Sequence, residues 1–321
     1  YFGFVTGGAL PATVASSWMA TIWDQNPATF VGSPIGSKIE AVTLKWLLDI
    51  LQLPVDAGVG FVTGATMANF TGLAAARHAL LAKAGWDVEA QGLFGAPEIK
   101  VVVGDEVHVS LLKALSLLGF GRERVIRVPV DDQGRMHPDQ LPELDEMTLV
   151  CIQAGNVNSG AFDPAQEICA IAHQAGAWVH VDGAFGLWAL ASAELAPLAK
   201  GVPDADSWAT DAHKWLNVPY DSGLVFCRYP EHMKAAMSVS AAYLMRSDHR
   251  EPSHYTPELS RRARGIEVWA ALRSLGKSGL ADLFERHVRY AQRFAEGLRE
   301  AGYTVLNDVV LNQVVVTFGD A

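Results

Sequence analysis

Lys214 and Asp182 are the two residues of this chain whose side chains could work together in covalent chemistry. Asp182 ends the apolar run 178–181 and Lys214 closely follows the run 207–210, and both runs predict strands. An amine can form a Schiff base, and a carboxylate can keep the pyridine nitrogen of pyridoxal phosphate (PLP) protonated, so that the ring accepts electrons. By itself the lysine also fits an ordinary solvated side chain. The prediction of a PLP site therefore depends on its pairing with Asp182 and on further residues at strand ends.

Three further segments lie between a predicted strand and a predicted helix or loop, where open parallel sheets bind ligands. Ala65 and Thr66 begin a helix after a glycine, so their backbone N–H groups could bind a phosphate. His108 follows another strand, where an imidazole can stack on a ring or move a proton. Asn156 follows a third strand and offers a side-chain amide. Each segment alone also fits a structural turn, an ordinary histidine or a polar loop, and it is their coincidence at strand ends that favours a site.

A metal site is the competing interpretation of the same region. His180 stands just before Asp182, and His173 and His213 are further candidate ligands. None of them has the H-x-x-x-H or H-E-x-x-H spacing of a zinc-binding helix. We therefore predict that the site holds no metal.

Alternating strand and helix segments predict an α/β fold with a parallel sheet wrapped by helices. Helix starts are predicted at the capping box Ser37–Glu40, near Thr66, at Val109 and after the N-cap Asp163. Two long periodic segments, 261–275 and 280–300, then replace the alternation. We therefore predict a large domain over residues 1–260 and the start of a smaller one over 261–321. The abrupt ends lead us to expect that segments of the fold lie outside this sequence.

Composition excludes several classes of function. The chain has 321 residues, half of them hydrophobic, and a formal net charge of −10, which argues against a nucleic-acid partner. Cys151, Cys169 and Cys227 lie in apolar stretches without C-x-x-C spacing, as in a reduced, cytoplasmic protein. Neither a long apolar span nor a signal peptide is predicted, so we expect no membrane partner.

Taken together, these motifs resemble the group II PLP-dependent amino-acid decarboxylases, which include the aromatic-L-amino-acid, glutamate and histidine decarboxylases. The resemblance covers nearly the whole chain and is most specific in the segments 180–184 and 212–215. It implies the aspartate-aminotransferase-like type I PLP fold, with a mostly parallel seven-stranded sheet and a smaller α+β C-terminal domain that is only partly present. It also implies a homodimer with the cofactor near the interface between subunits.

The resemblance also assigns roles to individual residues. Lys214 matches the Schiff-base lysine and Asp182 the partner of the pyridine nitrogen. The remaining matches are Ala184 under the ring, His108 above it, Ala65 and Thr66 at the phosphate, His213 beside the phosphate, and Asn156 near the ring, where the family carries threonine. Tyr255 matches the tyrosine of a mobile loop, here taken as residues 245–260, which protonates the substrate Cα after carbon dioxide leaves, with His254 as auxiliary.

The expected function is decarboxylation of an L-amino acid to its amine and carbon dioxide. Family members that act on aromatic substrates carry aromatic side chains at the positions of residues 5–8, where this chain has small residues. Aromatic amino acids and glutamate therefore both remain candidate substrates. The open alternatives are an aminotransferase, a carbon–carbon lyase, a nucleotide-binding enzyme and a relative of the same fold that has lost its chemistry.

Overall fold

A seven-stranded sheet forms the centre of the computed structural model, which describes residues 3–238 and 249–319. The strands are β1 (Gly58–Val62), β2 (Lys100–Gly104), β3 (Ile126–Val128), β4 (Thr148–Gln153), β5 (Trp178–Asp182), β6 (Ser207–Asp211) and β7 (Gly223–Cys227). Their spatial order is β1-β7-β6-β5-β4-β2-β3. β7 runs antiparallel to β1 and β6, and the other pairs are parallel. The predicted mostly parallel, seven-stranded sheet is confirmed.

Helices cover both faces of this sheet. They are α1 (Pro11–Trp23), α2 (Pro34–Ile50), α3 (Ala65–Lys83), α4 (Val88–Gln91), α5 (Val109–Leu117), α6 (Ala165–Gln174), α7 (Pro230–Met237) and α8 (Gly265–Glu300). Apolar side chains of α3, α5 and α7 form the core on one face, and those of α2, α6 and α8 form the core on the other. A short hairpin of β8 (Thr304–Val305) and β9 (Val316–Thr317) follows α8. Within the described residues, no helix is both long and apolar enough to cross a membrane.

The start of α2 differs from the prediction. Ser33, not Ser37, is its N-cap, and the Ser33 hydroxyl accepts a hydrogen bond from the backbone N–H of Gly36 at 3.2 Å. The predicted capping box is therefore wrong. Glu40 does not reach back to the helix start, because its buried carboxylate pairs with the guanidinium of Arg261 at 2.7 Å.

The predicted cap of α6 is also wrong. The carboxylate of Asp163 accepts hydrogen bonds from the backbone N–H groups of Met136, at 2.7 Å, and Gln153, at 2.6 Å. Pro164 occupies the N-cap position and makes no side-chain cap. Asp163 thus joins the end of β4 to the segment after β3.

The two helical segments predicted after residue 260 are confirmed as the two parts of α8, which are separated by a non-helical residue, Gly276. That glycine has φ of 63°, a left-handed conformation that glycine adopts without strain. α8 begins at Gly265, and the residues before it contact α2 through Arg261 and α1 through Arg262. The division of the chain into domains at residue 260 stays a prediction.

Candidate cofactor site

The amine of Lys214 is held by a carboxylate that the sequence analysis did not single out. Lys214 follows β6, and its Nζ lies 3.0 Å from Oδ2 of Asp211, the last residue of that strand. Asp211 is buried and Lys214 is half-buried. The ion pair keeps the amine at the carboxyl end of the sheet. Asp211 could have been found from the sequence, because it directly follows the predicted strand 207–210 just as Asp182 follows the run 178–181.

Asp182 lies at the end of the neighbouring strand, β5, and is fixed from inside the protein. Its Oδ2 accepts a hydrogen bond from Nδ2 of Asn69, at 3.0 Å, and its Oδ1 accepts from the backbone N–H of Ala184, at 3.2 Å. Burial raises the pKa of the Asp182 carboxyl, and Lys214, Asn69 and His108 act in the opposite direction. Lys214 and His108 are therefore close enough to Asp182 to interact with its carboxylate electrostatically.

The first turn of α3 lies against the same strand ends. Its N-cap residue, Gly64, provides no side-chain cap, and the backbone N–H of Ala65 donates to Oδ1 of Asp211 at 2.6 Å. A Cβ on Gly223 of β7 would lie 2.4 Å from the Cα of Gly64, so the absence of a side chain lets the helix start approach the sheet. Ala65 and Thr66 are thereby placed at a helix N-terminus that accommodates an anionic group.

His213 lies beside this helix start. Its Nδ1 accepts a hydrogen bond from the backbone N–H of Ser222 at 3.1 Å, and its Nε2 lies 3.4 Å from Oδ1 of Asp211. The ring stacks on Tyr220 with centroids 4.2 Å apart. Burial lowers the pKa of His213. Because Nδ1 accepts from Ser222, the neutral ring carries its proton on Nε2, which faces the carboxylate.

His108 and Asn156 have structural contacts in addition to their predicted roles. Nδ1 of His108 caps α5, accepting from the backbone N–H of Ser110 at 3.3 Å and lying 2.7 Å from its hydroxyl. Asn156 is buried, donates from Nδ2 to the Glu106 carboxylate at 2.9 Å, and accepts through Oδ1 from two backbone N–H groups of the next turn. These contacts fix the orientation of the His108 ring. They also use the side-chain amide of Asn156 for hydrogen bonds to Glu106 and to its own loop.

The strip of small residues near the start of the chain packs on the lysine turn. A Cβ on Gly7 would lie 2.1 Å from the carbonyl oxygen of Lys214. The backbone N–H of Gly8 donates to Oδ1 of Asn217 at 2.8 Å, and Asn217 itself has φ of 57°. The absence of a side chain at Gly7 is thus a packing requirement of the lysine turn.

Tyr255, predicted in a mobile loop, is packed in this structure. It is 7% exposed and lies at the end of a 3-10 helix, with the guanidinium of Arg250 4.1 Å from its ring centroid. Its carbonyl oxygen lies 2.2 Å from the position of a Cβ on Gly60, in the middle of β1. Tyr255 is therefore packed at the β1 edge of the sheet, among residues of the α3 and α7 face. Part of the predicted loop, residues 245–248, lies outside the described residues.

A cavity of about 770 Å³ opens beside Lys214. Residues 5–8 form one wall, and aromatic side chains of α8 and the C-terminal hairpin region form another, namely Tyr290, Phe294 and Phe318. Among the described residues that line it, Lys214 is the only lysine or arginine. The cavity also contains His287, whose pKa is lowered by burial. Its walls are therefore mainly apolar.

The model of the pyridoxal-dependent decarboxylase conserved domain matches residues 3–318. The chain belongs to this family. It is 27% identical over 314 residues to the aromatic-L-amino-acid decarboxylase of Bacillus atrophaeus, covering 94% of this chain and 63% of the relative. It is also 27% identical over 318 residues to the acidic amino acid decarboxylase of Bos taurus, covering 94% and 59%. The chain thus spans about three fifths of the length of these curated relatives.

Solved structures show the same fold. Oryza sativa TDC with PLP and tryptamine superposes with a TM-score of 0.87 at 24% identity, covering 97% of this chain and 68% of the other. Mouse CSAD in its apo form superposes with a TM-score of 0.89 at 22% identity, covering 98% and 67%. The expected type I PLP fold is confirmed.

Proposed function

We propose that this chain binds PLP and is the catalytic part of an amino-acid decarboxylase. The observation that carries the proposal is the placement of Lys214 and Asp182 at the ends of adjacent strands, next to the first turn of α3. Family membership supports the same activity, because the matching model is that of pyridoxal-dependent decarboxylases.

The described residues fit this cofactor. PLP has an aldehyde, a pyridine nitrogen and a phosphate, and the site offers an amine, a buried carboxylate and a helix N-terminus. Lys214 would hold the cofactor covalently, Asp182 would face the pyridine nitrogen, and Ala65 and Thr66 would bind the phosphate. When bound, PLP supplies a ring that accepts the electron pair of the bond broken at Cα.

The protein's own side chains would then control protons and charge. Asp182, fixed by Asn69, keeps a proton on the pyridine nitrogen and stabilises the positive charge there. A proton must reach Cα after carbon dioxide leaves, and Lys214, His108 and Tyr255 are the candidates. The burial of Tyr255 at the β1 edge favours His108 and Lys214 for this step.

We propose an aromatic or large apolar amino acid as substrate, ahead of glutamate. A second carboxylate needs a cation or several donors, and Lys214 is the only lysine or arginine among the described lining residues of the cavity. The aromatic groups absent from residues 5–8 are supplied instead by Tyr290, Phe294 and Phe318. Apolar walls of this kind favour an apolar side chain.

Carbon dioxide release from the twenty L-amino acids, each with PLP added, tests both proposals. We expect equimolar amine and carbon dioxide, with phenylalanine, tyrosine or tryptophan ahead of glutamate, and no release by Lys214→Ala. A keto acid would indicate an aminotransferase and an aldehyde without carbon dioxide a carbon–carbon lyase. PLP binding without turnover would indicate a relative that has lost its chemistry, and absence of PLP binding would favour the nucleotide-binding alternative.

We also propose that the protein works as a homodimer. α1, the segment after it and the first turn of α2 expose large apolar side chains to solvent, including Trp18, Ile22, Val31 and Ile35. Exposed patches of this kind mark interaction surfaces. Light scattering on the purified protein is expected to give twice the chain mass, and Ile22→Glu to lower it.

A reducing, cytoplasmic location is a further proposal. Cys151, Cys169 and Cys227 are buried and free. Burial raises the pKa of the Cys169 and Cys227 thiols to about 12, so they act as small core residues. Fractionation of the source cells would test this location.

A further inference from the structure

Asp182 is the end of a series of buried hydrogen bonds that runs along β5, between the sheet and α3. Asn69 of α3 donates to Asp182, and Oδ1 of Asn69 lies 2.9 Å from Nε2 of His180. Nδ1 of His180 lies 2.8 Å from the Ser207 hydroxyl, which accepts from the indole N–H of Trp178 at 2.9 Å. The chain thus links the two ends of β5, from Trp178 to Asp182.

The ionised carboxylate and the burial of His180 together determine the direction of the bonds. An ionised carboxylate only accepts, so Asn69 turns its NH₂ to Asp182 and its carbonyl to Nε2 of His180, which donates. Burial lowers the pKa of His180, so the ring is neutral and its Nδ1 accepts from the Ser207 hydroxyl. An indole N–H only donates, so the same hydroxyl accepts from Trp178. All four hydrogen bonds point toward Asp182.

Packing keeps this chain dry. Asn69, His180 and Ser207 are 0% exposed, Trp178 4% and Asp182 5%. A Cβ on Gly72, in α3, would lie 2.8 Å from the His180 ring, so the glycine makes room for the imidazole between helix and sheet. In such a low-dielectric setting, hydrogen bonds aligned in one sense strengthen one another.

We propose that Trp178, Ser207, His180 and Asn69 form a relay of positioning residues that keeps Asp182 ionised and oriented toward the pyridine nitrogen. The relay opposes the effect of burial, which favours the protonated acid. Lys214 and His108 also face Asp182 electrostatically, and Asp211 opposes them. Unlike those groups, the relay lies behind Asp182 and acts whether or not a cofactor is bound. Its purpose rests on the proposed function, but its geometry can be tested without PLP.

The first test is the tautomer of His180 in the cofactor-free protein. The ring ¹⁵N shifts of labelled histidine, assigned by the signal lost in His180→Gln, are expected to show the neutral Nε2–H form, without titration between about pH 5 and pH 8. A His180 that titrates in this range, or carries its proton on Nδ1, would overturn the relay.

The second test removes one link. Ser207→Ala takes one hydroxyl from the relay. Thr71→Val takes a buried hydroxyl from α3, outside the relay, where Thr71 donates to the Met67 carbonyl. In Ser207→Ala we expect the Asp182 carboxyl, followed by ¹³C NMR, to titrate at higher pH, and PLP to bind about tenfold more weakly. Thr71→Val is expected to leave both unchanged.

Equal Asp182 titration in the parent and in Ser207→Ala would contradict the relay. If the parent does not bind PLP while His180 and Asp182 behave as expected, the proposed function fails and the relay stands. The two claims are therefore separable.

Discussion

Asp182 and Asp211 end adjacent strands and are both buried beside Lys214, yet they are held in different ways. Asp182 is held by Asn69, which connects it to the protein interior. Asp211 is held by groups of the site itself, namely Lys214, His213 and the N–H of Ala65. The Asn69 contact of Asp182 comes from the side of the protein interior, whereas the contacts of Asp211 involve the groups that a cofactor would need. We infer that Asp182 serves the bound cofactor and Asp211 the free site.

The largest effect is expected for Asp182→Asn. The amide is nearly isosteric but uncharged, so the pyridine nitrogen loses its anionic partner in a desolvated site. A loss of several kcal/mol corresponds to at least about a hundredfold lower turnover. Steady-state rates of amine formation measure it, with Asp56→Asn on the surface as control. A variant within threefold of the parent would show that Asp182 does not face the ring.

The pH dependence of stability sharpens the account of the Asp182 side. Burial lowers the pKa of His180 to about 3. As the pH falls below the ordinary histidine pKa, the unfolded chain therefore binds a proton at His180 and the folded protein does not. Stability therefore falls with decreasing pH, and between pH 7 and pH 5 this residue alone accounts for about 2 kcal/mol. Urea unfolding of the parent and of His180→Asn at both pH values measures the difference. A His180→Asn variant with the parent's slope would contradict a neutral, buried His180.

Asp211→Asn is expected to increase the affinity for the cofactor, in contrast to the loss of turnover expected for Asp182→Asn. The Asp211 carboxylate occupies the N–H of Ala65 and opposes a phosphate at the start of α3. Removing this like charge is expected to tighten PLP binding about tenfold. Titration of the cofactor-free protein with PLP, followed by fluorescence, measures the change. Weaker binding in both Asp→Asn variants would remove the distinction between the two carboxylates.

Tyr255→Phe is expected to have the smallest effect. Its ring is packed under Arg250 at the β1 edge, and the substitution keeps that packing. The ratio of amine to aldehyde formed in air is expected to match that of the parent. A higher proportion of aldehyde would restore Tyr255 as the proton donor to Cα.

The sequence predicted what depends on local pattern. The ends of β5 and β6, the first turn of α3 and the stop of α5 follow from apolar runs, glycines and capping residues. Asp182 and Lys214 were therefore expected near strand ends and Ala65 at a helix start, and the structure has them there. Asn69 was not given a role, because its partner Asp182 is 113 positions away and only the packing of α3 on the sheet brings them together.

Errors arose where a distant partner changed the role of a residue. Glu40 fits a capping box until Arg261, 221 positions away, takes its carboxylate. Tyr255 lies in a polar, proline-containing stretch that indicated a loop, but its backbone packs against Gly60 of β1, which is distant in the sequence. Asp163 has the local pattern of a cap but bonds to backbone at the end of β4.

Borohydride reduction followed by peptide mapping tests the central claim most directly. The parent, loaded with PLP and reduced, is expected to carry one cofactor-sized mass increment on the peptide that contains Lys214. Lys214→Ala is expected to carry none, while Asp182→Asn keeps the increment at the same position. An increment on another lysine, or an equal one in Lys214→Ala, would contradict the assignment of this strand end as the cofactor site.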